Sequence, residues 1–260
     1  LECGKNHFSR FKLLSLNDDL LIMRFRVERT PPRVKRLVAG LPDMGNVAGI
    51  AMEHLIRSLR LEPFATLTDN WPPFVVHKGG RIEFERGRFT LYFRDGLDLI
   101  AMTGTHQPSG STELYELCDA VLDLAQSLGV EEVYTLGAAH YGDDFIESPR
   151  VYYATTTQAL EDRLKHAGSS PLDSEGYITG FNGLLLGLAM ERGLVGACLL
   201  GEIGDPRMRQ PAAAKAVLEV LSTILGITLD YALLDEEIEQ IKAARALERI
   251  MRSGRGAGVM

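Results

Sequence analysis

The sequence predicts an α/β fold, a mostly parallel sheet with helices on both faces and a small inserted β-meander. Three observations carry this expectation. Five apolar segments, 34–40, 63–67, 97–103, 131–138 and 194–200, read as strands separated by stretches of helical periodicity, the alternation that produces parallel sheets. Residues 74–94 instead alternate with period two, as antiparallel strands do. The 260 residues are 45% hydrophobic and 24% charged, enough for one large core. The expected organisation is an N-terminal prelude with an edge strand (1–33), a single α/β domain (34–252) and a flexible C-terminal tail (253–260).

In the prelude, "RFRVERTPPRVKR" (24–36) sets six basic residues against Glu28. It reads as a basic patch for a partner or, from the alternation in "LIMRFRVER", as an edge strand with a solvated face. After Pro31 and Pro32, "VKRLVAGL" is a strand. A helix follows from about Asn46 to Arg60, with Val47, Ile50, Ala51 and Leu55 on one face and Glu53 and Arg57 paired on the other. "FATLT" is the next strand, and the prolines make "DNWPPF" (69–74) a turn. "FVVHKG", "RIEFE" and "RFTLYFR" form the meander, with Gly79 and Gly80 as a hairpin signal.

"LDLIAMTG" resumes the buried strands, and "THQPSGS" is a loop. Thr112 to Leu128 is a helix with Leu114, Leu117, Cys118, Val121, Leu124, Ala125 and Leu128 on one stripe, stopped by Gly129. "EEVYTLGAA" is a central strand leading into the loop "HYGDDFIESPR", followed by "VYYATTT" and a helix near Gln158 to His166. The chargeless run Gly176 to Met190 is 15 residues long and broken by glycine, so it reads as a buried helix rather than a membrane span. "GLVGACLLGE" is the last strand. Pro211 opens a helix that Gly226 ends, and a charged helix runs from Asp235 to about Arg252.

A net charge of −7 argues against broad contacts with nucleic acid or anionic lipid. Cys3, Cys118 and Cys198 stand far apart and give neither a disulfide framework nor a CxxC pair. The N-terminus lacks the plan of a signal peptide. A soluble protein of the reducing cytoplasm is expected.

The loop "VAGLPDMGNVAG" (38–49) raises the sharpest question of chemistry. Gly40 and Gly45 have the spacing of a Walker A loop, but Asn46 and Val47 stand where the lysine and hydroxyl of that motif belong. Asp43 adds a charge that repels phosphate, and Pro42 breaks the dinucleotide glycine pattern. Two readings remain: backbone N–H groups that take a small anion, or a turn in which Gly45 bends the chain, Asn46 caps the helix and Gly49 lets it approach the sheet.

His106 and His140 each follow the C-terminal end of an expected central strand, and Asp143, Asp144 and Glu147 come soon after His140. His106, His140 and Asp143 would make a metal or general-base site; two loops that tolerate polar residues explain them equally. No G-x-S-x-G elbow is present, and Cys118 lies on an apolar stripe where a thiol is inert. "GEIGDPRMRQP" (201–211), with Glu202, Asp205, Arg207 and Arg209, leaves a strand end as a ligand loop or a subunit surface. The GxxxG steps at Gly45/Gly49 and Gly183/Gly187 suggest close helix–sheet packing.

The blocks "GLPDMGNVAGIAMEHLI", "DNWPPFVV", "LIAMTGTHQ", "VYTLGAAH", "ITGFNGLLLGLA" and "CLLGEIGDPR…PAAAKAVLEVLSTILGI" occur in an order that resembles the proteasome assembly chaperone family, in its archaeal and bacterial members. The likeness spans Val34 to Leu234. It implies a fold similar to the nucleoside phosphorylase/hydrolase architecture without its catalytic apparatus, and no cofactor or metal. It also implies a homo-oligomer whose C-terminal tail binds 20S proteasome α-subunits. The family's tail ends in a hydrophobic residue, a tyrosine and any residue; this chain ends Gly258, Val259, Met260, which places Val259 and Met260 as the partner-binding positions. The function expected is that of a non-enzymatic assembly chaperone. The alternative is a small-molecule enzyme or sensor with a nucleosidase/phosphorylase-like pocket at the strand ends, using Gly40, Asp43, Gly45, Asn46, His106, His140 and Asp143.

Overall fold

The structure, a computed structural model, describes residues 25–68, 75–84, 86–142, 146–172 and 175–256. The turn expected at 69–74 and most of the N-terminal prelude lie outside them. The chain begins with β1 (Arg26–Val27), β2 (Arg36–Ala39), a 3-10 turn (Met44–Asn46), α1 (Val47–Leu59), β3 (Glu62–Thr68), β4 (Val76–Lys78), β5 (Arg81–Glu83), β6 (Arg88–Phe93) and β7 (Leu99–Gly104). It continues with α2 (Ser111–Ser127), β8 (Glu132–His140), β9 (Val151–Thr155), α3 (Gln158–His166), β10 (Ser170–Pro171), α4 (Gly180–Glu191), β11 (Val195–Ile203), α5 (Pro211–Leu225) and α6 (Ala232–Gly256).

Among the described residues, nine strands form one sheet in the order β1-β3-β6-β7-β2-β8-β11-β9-β10. Its centre, β7-β2-β8-β11, is parallel. On one flank β6 runs antiparallel between β3 and β7, so β3 points the same way as the central four. The five segments read as strands from their apolar runs therefore all share one direction. On the other flank β9 is antiparallel to β11. Among its described residues the connection from β8 to β9 carries no helix, and without such a crossover the chain returns in the opposite direction.

The meander divides. β4 and β5 pair only with each other, whereas β6 enters the large sheet. Burial explains the split: every residue of β4 and β5 is exposed, while Phe89, Leu91 and Phe93 of β6 are buried on one face. Gly79 and Gly80, both at positive φ, close the β4–β5 hairpin with the left-handed backbone that two-residue turns require.

The central strands are buried on both faces, which is why they read as unbroken apolar runs. Successive side chains point oppositely. Val38, Tyr134, Leu136 and Leu199 pack under α1 and α5 with Met52, Leu55, Val217 and Leu221. Leu37, Ala39, Ile100 and Val133 pack under α2 and α4 with Leu117, Val121, Phe181 and Leu185. The chargeless run becomes α4, with Phe181, Leu185 and Ala189 fully buried. Arg192 at its end binds Asp119 and Asp123 of α2, each at 2.6 Å. The charged helix read over 235–252 is longer, running Ala232–Gly256, and is seated through Leu234 and Ile238.

How closely α1 approaches the sheet depends on Gly40, the residue after β2. A Cβ there would stand 3.0 Å from Met52 Cγ and 3.1 Å from Ala48 Cβ. Gly49, expected to provide this approach, instead faces the side chain of Asn46. In the second GxxxG step, Gly183 faces the Ile178 carbonyl and Gly187 faces open space, so neither glycine serves close helix–sheet packing. Gly40→Val should therefore lower the unfolding free energy by about 1–3 kcal/mol through overpacking, whereas Gly187→Ala, with room and a better helix propensity, should not destabilise. Denaturant titration of the two variants checks the contrast.

Candidate functional site

The loop after β2 is set by its backbone. Asp43 is extended, and Gly45 (φ 64°) and Asn46 (φ 54°) are both left-handed before α1 begins. A Cβ on Gly45 would meet the side chain of Gln210, with Cγ at 2.5 Å, so only glycine fits this turn without a shift. The backbone groups of this turn are already engaged. The Gly45 N–H donates to the Pro206 carbonyl (2.7 Å), its carbonyl accepts from Gln210 N–H (2.9 Å), and the Asn46 N–H donates to the Asp43 carbonyl (2.9 Å).

Asn46 stands at the N-cap position, but its side chain makes no capping bond. The cap is supplied by Asp43, whose Oδ1 accepts from Ala48 N–H at 2.9 Å. The carboxyl that seemed to discourage phosphate thus occupies the place at the helix start where an anion would bind. This corrects the expected role of Asn46, and it leaves Gly40 and Gly45 as packing and turn residues.

Asp43 also lines a pocket of about 440 Å³ at the C-terminal ends of the strands, where ligands of open α/β sheets gather. Gln107, His140, Tyr141, Thr179 and Asn182 contribute its other polar groups, and Ala138, Ala139, Leu172, Ile178 and Leu200 its apolar wall. Among the described residues the lining holds no lysine or arginine. Burial pushes the Asp43 carboxyl up to about 7, against the opposing pull of backbone amides led by Ala48. Its Oδ2 is buried and makes no hydrogen bond among the described residues.

Asn182, in the first turn of α4, is 9% exposed, and its Oδ1 is also buried without a hydrogen bond among the described residues. Its carbonyl accepts from the Thr135 hydroxyl at 3.3 Å. Space for its amide comes from Gly137 on β8, where a Cβ would collide with Asn182 Nδ2.

The sequence-selected residues separate accordingly. Asp43 and His140 share the pocket. His106 is not among its lining residues: the ring packs on Phe89 with centroids 5.1 Å apart, and Nδ1 lies 3.2 Å from Thr105 Oγ1. Asn46 lines a different hollow, beside Glu53 and Arg57. Asp143, Val259 and Met260 lie outside the described residues. Among the described residues, no three His, Cys, Asp or Glu side chains gather as a metal site, and no helix is long and apolar enough to cross a membrane.

The charged segment that ends β11 and follows it is tied into the fold. Glu202, 7% exposed, is held by Arg150 through Nη2 at 2.8 Å and Nε at 3.2 Å, and that bond keeps its carboxyl low. Arg207 binds Asp205, and Arg209 binds Glu237 at 3.0 Å. Burial raises the thiols of Cys118 and Cys198 to about 12, so both stay protonated at neutral pH. Sequence reading missed Asn182 and Gln107. The signal for Asn182 was a lone amide at the head of an apolar helix.

Comparison with known proteins gives a consistent result. The PAC2 family profile matches residues 37–249. An uncharacterized protein of Methanocaldococcus jannaschii is 33% identical over 217 residues, 83% of this chain and 81% of the relative. Among solved structures, PbaB of Pyrococcus furiosus, an archaeal proteasome activator, is 31% identical with a TM-score of 0.74, over 87% of this chain and 98% of its own. PbaA of the same organism, an archaeal homolog of proteasome-assembly chaperone, shares the fold at 24% identity and a TM-score of 0.71, over 89% and 94%.

The pocket carboxyl generates a pH prediction. Its value in the folded protein, about 7, lies above the ordinary 3.8, so the folded state holds this proton more tightly than the unfolded chain. Stability from this group is therefore lost as pH rises from about 4 to about 7 and then levels off. Asp43→Asn retains an oxygen for the Ala48 cap and has no such slope. Relative to wild type it should gain on the order of 4 kcal/mol between about pH 4 and pH 8, read from paired denaturation curves across that range.

Proposed function

This chain belongs to the PAC2 family, and on that premise we propose that it is a non-enzymatic, chaperone-like protein of the cytoplasm that engages 20S proteasome α-subunits or their assembly intermediates as a homo-oligomer. The observation that carries the reading is the likeness to PbaB, which extends over 98% of that proteasome activator at 31% identity.

The architecture supports it in two ways. The strand-end carboxylate of Glu202 is neutralised by Arg150, and the two buried thiols are held protonated. In addition, α6 is a long charged helix whose Leu247 and Met251 are exposed. In the proposed mechanism the residues that follow, Val259 and Met260 included, dock on the proteasome. Several tails on one oligomer raise the effective concentration of a contact that is weak singly.

The test is retention of the full chain on immobilised 20S α-subunits, compared with a chain lacking Gly254 to Met260. Retention of the full chain and roughly tenfold weaker retention of the truncated one are expected from loss of tail avidity. Equal retention would remove the tail from the mechanism, and failure of both chains to bind would overturn the reading. Light scattering should give a mass that is a multiple of 28.7 kDa.

A further inference from the structure

We propose that the pocket at the strand ends binds a small amine: a molecule presenting N–H donors from an apolar body and carrying no anionic group. This site stands or falls independently of proteasome binding.

The chemistry follows from what lines the cavity. Asn182 Oδ1 and, in the ionised form of the carboxyl, Asp43 Oδ2 are buried acceptors, and neither atom makes a hydrogen bond among the described residues. Buried acceptors left empty are costly, and two in one cavity are satisfied together by a group with more than one N–H. The Asp43 carboxyl cannot turn away to find another partner, because its Oδ1 is fixed by Ala48 N–H. Asn182 is held at the head of α4, with its amide over Gly137.

The remaining wall fixes the rest of the ligand. Ala138, Ala139, Leu172 and Leu200 offer an apolar surface. The Tyr141 ring is braced by stacking on Tyr152 with centroids 4.9 Å apart, a flat face for a flat body. With no lysine or arginine in the described lining and an aspartate within it, a phosphate or carboxylate would meet the Asp43 carboxyl with only His140 to offset the charge. The volume, about 440 Å³, suits a small organic molecule.

The experiment titrates the full-length protein with benzylamine, adenine and benzoate, reading heats of binding and backbone amide shifts. Benzylamine carries a cationic amine, adenine a neutral one, and benzoate replaces the amine by an anion on a similar ring. Binding of either amine, with shifts centred on Ala138, Ala139 and Gly180 and with benzoate at least about tenfold weaker, is the expected result. Which amine binds tells the charge the site prefers.

Asp43→Asn, which keeps the cap but turns the free acceptor into a donor, and Asn182→Leu should each weaken binding about tenfold. The second variant removes an acceptor without touching the α1 cap, so it reads the site even if the first perturbs folding. The proposal is overturned if neither amine binds, if benzoate binds as tightly, or if both variants keep wild-type affinity. Proteasome retention by a chain that fails these titrations would leave the function above intact.

Discussion

One carboxyl fixes the business end of this fold. Asp43 is bound through a single oxygen to the first turn of α1, and the backbone two residues on, at Gly45, is held by the loop that follows β11. The seating of α1 on the sheet, the left-handed turn at Gly45 and one wall of the strand-end pocket all follow from that placement. Burying the group is costly, since burial raises its pKa despite several amides nearby. The fold tolerates the cost at this one loop.

The opposite end of the parallel strands shows what full compensation looks like. There Glu132 accepts from the Tyr134 hydroxyl at 2.7 Å and from Arg163 at 3.0 Å, with Arg36 at 3.4 Å, and these partners keep its carboxyl low. A carboxylate surrounded by donors is a structural rivet. Asp43 and Asn182 each retain an unengaged buried oxygen. The two ends of one sheet therefore differ: Glu132 at the amino ends is held by several donors, and the carboxyl ends leave two acceptors unengaged in residues that line a cavity.

Much of this architecture was legible from sequence because burial on both faces leaves a plain mark. Runs such as "VYTLGAA" and "GACLLG" have no polar alternation, and they became the central strands. The long stripe of α2, the Pro211 start and Gly226 stop of α5, and the Glu53–Arg57 pair are local features with local causes. What eluded reading was set by distance in the chain. Whether β6 joins β3 and β7 or stays with β5 depends on the helix face that covers Phe89, Leu91 and Phe93. Asp43 looked like a deterrent to phosphate because its reach to Ala48 is a property of the folded turn. Asn182 was hidden by its apolar neighbours, and Gly40 rather than Gly49 meets the facing helix only once the sheet exists.

Gly137 and Asn182 illustrate a consequence for how such a pocket persists. The glycine lies within β8, and its missing Cβ is what gives the amide room. The polar character of the cavity is thus written partly in a residue that would pass for featureless core. The two positions are sterically coupled: any side chain at the first collides with the amide at the second. Paired drift between these sites, rather than change along the visible rim, would be the mark of descendants that had closed the pocket.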